Sequence, residues 1–267
     1  MEKGREPVII NVEGVSFALD IDQQVIRRTS APDNEISFIH HMVDKSTHYD
    51  LLIDIDQMRP VPERRDGSPN KIVQIPQMTA LDPEGMSAKY DVPLDKVRFS
   101  NDFDVIVDPK LYQKRMQGHL PQIDILGEKF IVDVHLQELR HTRDLAPIIS
   151  LQQFEITGDG ETQEAFYHAL LKQPVTIDPK LTELPDHVVK ISIPTELGLD
   201  PIGTARFYGM DERDLVRRYP IARDLRATVT PLADTNLPQL IRQNREAQSN
   251  APKDKKEQRR PRYRNRF

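Results

Sequence analysis

The chain has 267 residues, long enough for one large or two modest domains, and its 37% hydrophobic and 30% charged content with 21 prolines describes small cores joined by proline-punctuated connections. It contains no cysteine, which excludes disulfides, thiolate zinc sites, iron–sulfur clusters and cysteine nucleophiles, and no run of about 18 apolar residues that could span a bilayer. The net charge of −5 is unevenly spread: Lys253 to Phe267 holds eight Lys/Arg against two Asp/Glu, so the preceding 252 residues sum to −11.

The opening "MEKGREPVIINVEG" offers charge and a five-residue apolar stretch, shorter than a signal peptide's apolar segment, so a cytoplasmic location is expected. Ile10 and Val12, then Phe17, Leu19 and Ile21, alternate around Gly14, which is the pattern of a hairpin. Asp20 falls on the pleat face opposite Phe17. Further strands are expected at "EISFIHHM", "YDLLIDI" and "KIVQIP". The period then changes: "LDPEGMSAKY" places Asp82 as an N-cap and Pro83 at the first helical position, with a shorter helix at "PLDKVRF".

The hairpin "EGVSFALDID" returns as "LGEKFIVDVH". An offset of 113 aligns residues 10–38 with 123–151 and repeats Gly14, Phe17, Asp20, Gln24 and Arg27 as Gly127, Phe130, Asp133, Gln137 and Arg140. At an offset of 118, Leu81, Asp82, Pro83, Gly85 and Tyr90 recur as Leu199, Asp200, Pro201, Gly203 and Tyr208. "IISLQQFEI", "EAFYHALL" and "VVKISIP" supply the matching strands, "TGDGET" a turn, and "LDPIGTARFYG" and "DERDLVRRY" the helices. "FDVIVDP" lines up with "LRATVTP", so that each copy closes on a strand. The predicted fold is α+β: a tandem duplication of a mostly antiparallel-sheet module with two short helices, spanning residues 8–117 and 121–243, followed by a disordered basic tail over 244–267. A period above 100 residues means paired domains rather than a solenoid, and edge pairing between the two sheets would give a pseudo-two-fold body.

Duplication also filters candidate sites. His40, His41 and His48 meet Gln153, Phe154 and no clear histidine in the second copy, and His135, Glu138 and His141 lie in a strand-to-loop region where their spacing does not converge, so no metal is expected. The Asp20/Arg27 and Asp133/Arg140 pairs recur, and a carboxylate with a guanidinium could act on a substrate. No recurring His, Lys, Ser or Glu accompanies them as nucleophile or base, and a salt bridge tying the hairpin to the next segment is the competing explanation. No glycine-rich phosphate loop, zinc-protease helix or nucleophile elbow is present, and "TGDGET" lacks the ligand series of a calcium loop. No catalytic residue and no cofactor are assigned.

"TARFYGMDERDLVRRYP", residues 204–220, resembles a helix-turn-helix through Ala205, Tyr208, Gly209, Met210 and Leu215, a likeness that implies DNA contact around Arg213, Arg217 and Arg218. With its flanking strands the same segment is similar to LysM glycan-binding modules, through Tyr208, Gly209, Leu215 and Pro220. The whole-chain pattern, two modules ending in "LPQLIRQN" and then a basic polar tail, resembles uncharacterised accessory proteins of bacterial conjugative and other mobile elements, a group that carries no activity to transfer.

The tail interleaves Arg259, Arg260, Arg262, Arg264 and Arg266 with Tyr263 and Phe267, cations for phosphates and rings for stacking on bases. A solvating tail, or one folding back on the acidic body, is the competing reading. The expected function is that of a non-enzymatic interaction protein with a protein partner, its tail a candidate contact for nucleic acid, and no membrane contact. The alternatives are a nucleic-acid-binding accessory protein of a mobile element and an enzyme using the repeated Asp/Arg pair.

Overall fold

The computed structural model describes residues 7–250 apart from 64–66, 68 and 145. Glu13 and Gly14 both adopt positive φ, +49° and +84°, the combination a two-residue hairpin turn needs to match strand twist, and the Asn11 side chain accepts the Gly14 N–H at 2.9 Å. The turn joins β1 (Ile9–Val12) to β2 (Val15–Asp20), and the meander continues through β3 (Val25–Arg28) and β4 (Ala31–Ser37) into a four-stranded antiparallel sheet. Phe17, Ile26 and Ile36 are buried beneath it.

The strand expected across "EISFIHHM" is broken. The Ser37 hydroxyl accepts the Ile39 and His40 N–H groups and the His41 ring accepts the Ser37 N–H, turning the chain into β5 (Met42–Asp44) of a second sheet. There β6 (His48–Asp54) pairs with β5 and β7 (Arg59–Pro60) on one side and along its full length with β8 (Asn70–Pro76) on the other. A single turn, α1 (Met78–Leu81), leads to α2 (Pro83–Tyr90), which Asp82 caps by accepting the Gly85 N–H at 2.8 Å, and then to α3 (Leu94–Val97).

The second half repeats this order. β9 (Gln122–Ile125), β10 (Glu128–Asp133), β11 (Glu138–His141) and β12 (Ile148–Ser150) form the meander, opened by Leu126 and Gly127 at φ +56° and +85°. "IISLQQFEI" is likewise split by a 3-10 turn before β13 (Glu155–Ile156). β14 (Thr162–His168), β15 (Gln173–Pro174) and β16 (Val188–Pro194) follow and pair with one another as β6, β7 and β8 do.

The halves part beyond their last shared helix, α3 in the first and the helix Glu212–Arg218 in the second. In the first, Asn101 caps α4 (Asp102–Ile106) and Asp108 caps α5 (Pro109–Met116), so "FDVIVDP" is helical and turned rather than a closing strand. In the second, α6 (Glu196–Leu199), α7 (Pro201–Tyr208) and α8 (Glu212–Arg218) are followed by β17 (Leu225–Arg226) and β18 (Thr228–Pro231), where β-branched Thr228, Val229 and Thr230 suit a strand. The side-chain cap at Asn101 overrides the strand pattern that Val105 and Val107 suggest.

Two further expectations are corrected. The tail does not begin at Asn244, because α9 (Leu237–Asn250) continues through it, buries Leu237 and Ile241, and docks by Asn244 donating to the Pro179 and Leu181 carbonyls. Among the described residues no sheet mixes strands of the two halves, so edge pairing does not join them. They meet through helices: Ile202 and Val216 of the second half belong to the apolar core of the first.

Candidate functional site

The repeated Asp/Arg pairs sit on the meanders and do the same local work twice. Asp20 faces Val25 and Arg27 faces Ala18 across β2 and β3, so the two side chains are diagonal neighbours. One Asp20 oxygen accepts the Gln23 N–H at 2.9 Å and the other meets Arg27 at 2.6 Å, while Arg27 also reaches Glu35 at 2.7 Å. In the second half Asp133 accepts from the Leu136 N–H at 3.1 Å and from Arg140 at 2.8 Å. Burial pushes the Asp20 carboxyl up, but the Gln23 N–H and the Arg27 guanidinium outweigh it and hold the group below the usual carboxylate range. Each pair closes a turn and links two strands.

The first pair borders one cleft, and the arginine, though not the aspartate, of the second borders another. The first, of about 610 Å³, lies over Ala18 between Asp20, Arg27 and the α2 residues Asp82, Gly85 and Lys89. The second, of about 410 Å³, lies over Ile131 between Arg140, His141 and His119. Ala18 and Ile131, and Arg27 and Arg140, are matched positions; the remaining polar groups differ. Lys89 donates to the Ile21 and Asp22 carbonyls at 2.7 and 2.9 Å, and burial draws its ammonium pKa down. The matched position in α7 is Phe207, which stacks edge-on against His135, the counterpart of Asp22, at 5.7 Å. One helix-to-turn contact is thus made by hydrogen bonds in one half and by rings in the other.

The histidines do not converge. His41 accepts the Ser37 N–H, and loss of water around its ring, with His40 beside it, lowers its pKa. His48 pairs with Asp50 at 3.3 Å. His141 accepts the Asp144 N–H on Nδ1 at 3.0 Å, which leaves Nε2–H to donate to Glu128 at 2.9 Å. Among the described residues no three His, Asp or Glu side chains are placed to hold a metal ion, and no helix is long and apolar enough to cross a membrane. In "TGDGET" Asp159 accepts the Glu161 and Thr162 N–H groups, so its carboxylate shapes the turn.

Of three buried charges, Asp102 and Arg115 were not singled out by the sequence, and Arg217 was read there as a cation for DNA. Asp102 accepts from the Tyr49 hydroxyl at 2.7 Å and from the Met78 and Thr79 N–H groups at 2.9 and 2.8 Å; burial raises its pKa and these donors oppose the rise. Arg115 of α5 grips Asp200, the α7 cap, through three hydrogen bonds of 2.9 to 3.1 Å. Arg217 of α8 donates to the Phe38 carbonyl at 3.2 Å and lies 5.3 Å from the Tyr49 ring centre. The available signal was weak: Asp200 already had a complete role as a cap, and nothing in spacing pairs residue 115 with 200.

The second helix of the helix-turn-helix-like segment, α8, is packed inward through Leu215, Val216 and Arg217. Arg217 is buried, Arg213 lies 4.1 Å over the Phe103 ring, and Arg218 meets Asp214 at 2.8 Å, so the three arginines around which DNA contact was expected are committed to protein groups. The end of α7 and the turn after it present an apolar surface. Met116, Leu136, Phe207, Tyr208 and Met210 are each 44–57% exposed, with Phe207 and Tyr208 in edge-to-face contact at 4.9 Å and Arg206 reaching the Met116 sulfur at 3.4 Å. Arg259, Arg260, Arg262, Tyr263, Arg264, Arg266 and Phe267 lie outside the described residues. No known protein family, curated protein or solved structure matches this chain.

Proposed function

We propose that this chain is a non-enzymatic, cytoplasmic interaction protein, built from two copies of one ancestral module, whose protein partner docks on the aromatic and methionine surface around Phe207. The observation that carries the reading is that surface: Phe207 and Tyr208 are exposed and in edge-to-face contact, Met210 is exposed two residues on, and Met116 is exposed beside Arg206 of the same helix. Rigid aromatic rings and adaptable methionines are the side chains that anchor protein interfaces. The engagement of Asp20, Arg27, Asp133 and Arg140 in turns and strand links supports a structural rather than chemical role for the repeated pairs. The test is affinity capture from cells with the full chain and with Phe207→Ser/Tyr208→Ser. A partner retained by the wild type and by Ile156→Ser, an exposed apolar residue elsewhere, is expected to be lost from the double variant; equal recovery on all three would sink the proposal.

A second reading rests on the interleaved arginines and rings of 259–267: nonspecific nucleic-acid binding through the tail, as an accessory protein of a mobile element would need. The truncation that tests it ends at Asn250, because ending at Asn244 would cut α9. Affinity for single-stranded DNA is expected to fall with salt for the full chain, by a log–log slope of about −0.7 per contacted phosphate, and to vanish on truncation. Full-chain affinity indifferent to salt removes this reading.

A further inference from the structure

We infer that the first module carries a vacant strand position, open to an extended, neutral-to-basic segment of a partner protein with apolar residues four apart. This deepens the interaction reading and rests on it.

The second module shows what belongs there. Leu225 and Arg226 run parallel to Ile123 and Asp124 of β9, the Ala227 N–H continues to the Asp124 carbonyl at 2.8 Å, and Thr228–Pro231 runs antiparallel to Val189–Ser192 of β16. One seven-residue segment therefore seals the edges of both sheets. Leu225 stands beside Ile123 and Val229 beside Ile191, and both isoleucines are 0% exposed.

The matched residues in the first module are Ile10 of β1 and Val73 of β8, and both are only half-buried. Among the described residues β1 pairs only with β2 and β8 only with β6. A strand paired on one side directs alternate N–H and C=O groups away from it, so among the described residues β8 presents an unfilled ladder at alternate positions of Asn70–Pro76. The chain segment that could have filled it is spent on α4, held where Asp102 takes the Tyr49 hydroxyl and the Met78 and Thr79 N–H groups.

The occupant's chemistry follows from the sister segment, Leu-Arg-Ala-Thr-Val-Thr-Pro. Two apolar side chains four apart cover Ile10 and Val73, β-branched residues between them suit an extended backbone, and hydrogen bonds to main chain supply sequence-tolerant affinity. The net −11 of residues 1–252 disfavours acidic residues in it, and the sister segment has an arginine and no acid. The Lys71–Glu13 bridge, 2.8 Å, crosses the end where Pro231 sits in the second module; it is exposed and offers little resistance to entry.

The test uses a synthetic peptide of residues 225–232 and the full chain. We expect saturable one-to-one binding, at least tenfold weaker for a scrambled peptide and for one with serine at both apolar positions. Amide hydrogen exchange should slow at least tenfold over residues 9–12 and 70–76 and stay unchanged over 188–194. Val73→Thr, which keeps the β-branched shape, should weaken binding with an unaltered circular dichroism spectrum. Three results would overturn the inference: no binding at millimolar peptide, protection over 122–125 and 188–194 instead, or protection of 70–76 by self-association of the chain without peptide. Any of these leaves the Phe207 capture result standing by itself, so the two readings fail separately.

Discussion

Replacing Arg115 with methionine removes one half of the buried ion pair that joins the two halves of the chain. The Arg115 and Asp200 side chains are 9% and 1% exposed, and the guanidinium supplies three of the hydrogen bonds that satisfy the carboxylate. Stripping one partner from such a pair costs about 3–5 kcal/mol, because the other charge is left in a medium that solvates it poorly. Asp200 keeps the Gly203 N–H at 3.0 Å and the favourable end of α7, which places the expected loss near the lower limit, about 3 kcal/mol. For a chain of this size that corresponds to a Tm lower by about 6–12 °C. The assay is urea and thermal unfolding followed by circular dichroism, repeated for Asp200→Asn and for the double variant. Asparagine retains the cap without the charge, so the double variant should recover part of the loss, with a coupling energy of about 1 kcal/mol or more. A loss below about 1 kcal/mol for Arg115→Met, or strict additivity in the cycle, would refute the idea that this pair holds the halves together.

Two further outcomes are expected. A Cβ at Gly85 or Gly203 would overlap the carboxylate of Asp82 or Asp200, so Gly→Ala at either site should destabilise by about 1–3 kcal/mol in urea titrations, although alanine is the better helix former. The folded-state pKa of His41 lies below its unfolded value of 6.5, so its contribution to stability is complete above pH 6.5 and is lost as pH falls from there through the folded value; the urea midpoint should decline over that window and decline less in His41→Asn.

The parts of the fold that could be read from sequence are those whose chemistry is local. The turns at Gly14 and Gly127, the caps at Asp82 and Asp200 and the strands "YDLLIDI" and "KIVQIP" each rest on contacts within about four residues or on a period-2 pattern, and all stand where expected. Errors arise where a short polar contact competes with an apolar pattern. Ser37 and its neighbours break "EISFIHHM", and Asn101 turns "FDVIVDP" into a helix, because one satisfied backbone donor at a turn outweighs a modest strand preference. The Arg115–Asp200 and Arg217–Phe38 contacts were illegible for another reason: they join residues 85 and 179 positions apart, and neither pattern nor spacing constrains such pairs.

Repetition also directs attention to the wrong residues if it is taken as a mark of function. What recurs, Asp20 with Arg27, Asp82 with Gly85 and Gln24 with its positive φ, is what each half needs in order to turn and cap correctly. What diverges decides the surface. Lys89 gives way to Phe207, and a backbone lock becomes an exposed ring; "FDVIVDP" and "LRATVTP" fold differently, so one half has a strand along β9 and β16 where, among the described residues, the other has none along β1 and β8. Where the two halves differ, folding does not fix the residue, and such positions are free to serve the partner recognition proposed above. The repeated pairs therefore mark the scaffold, and the search for a partner belongs at Phe207 and along β8, where the halves disagree.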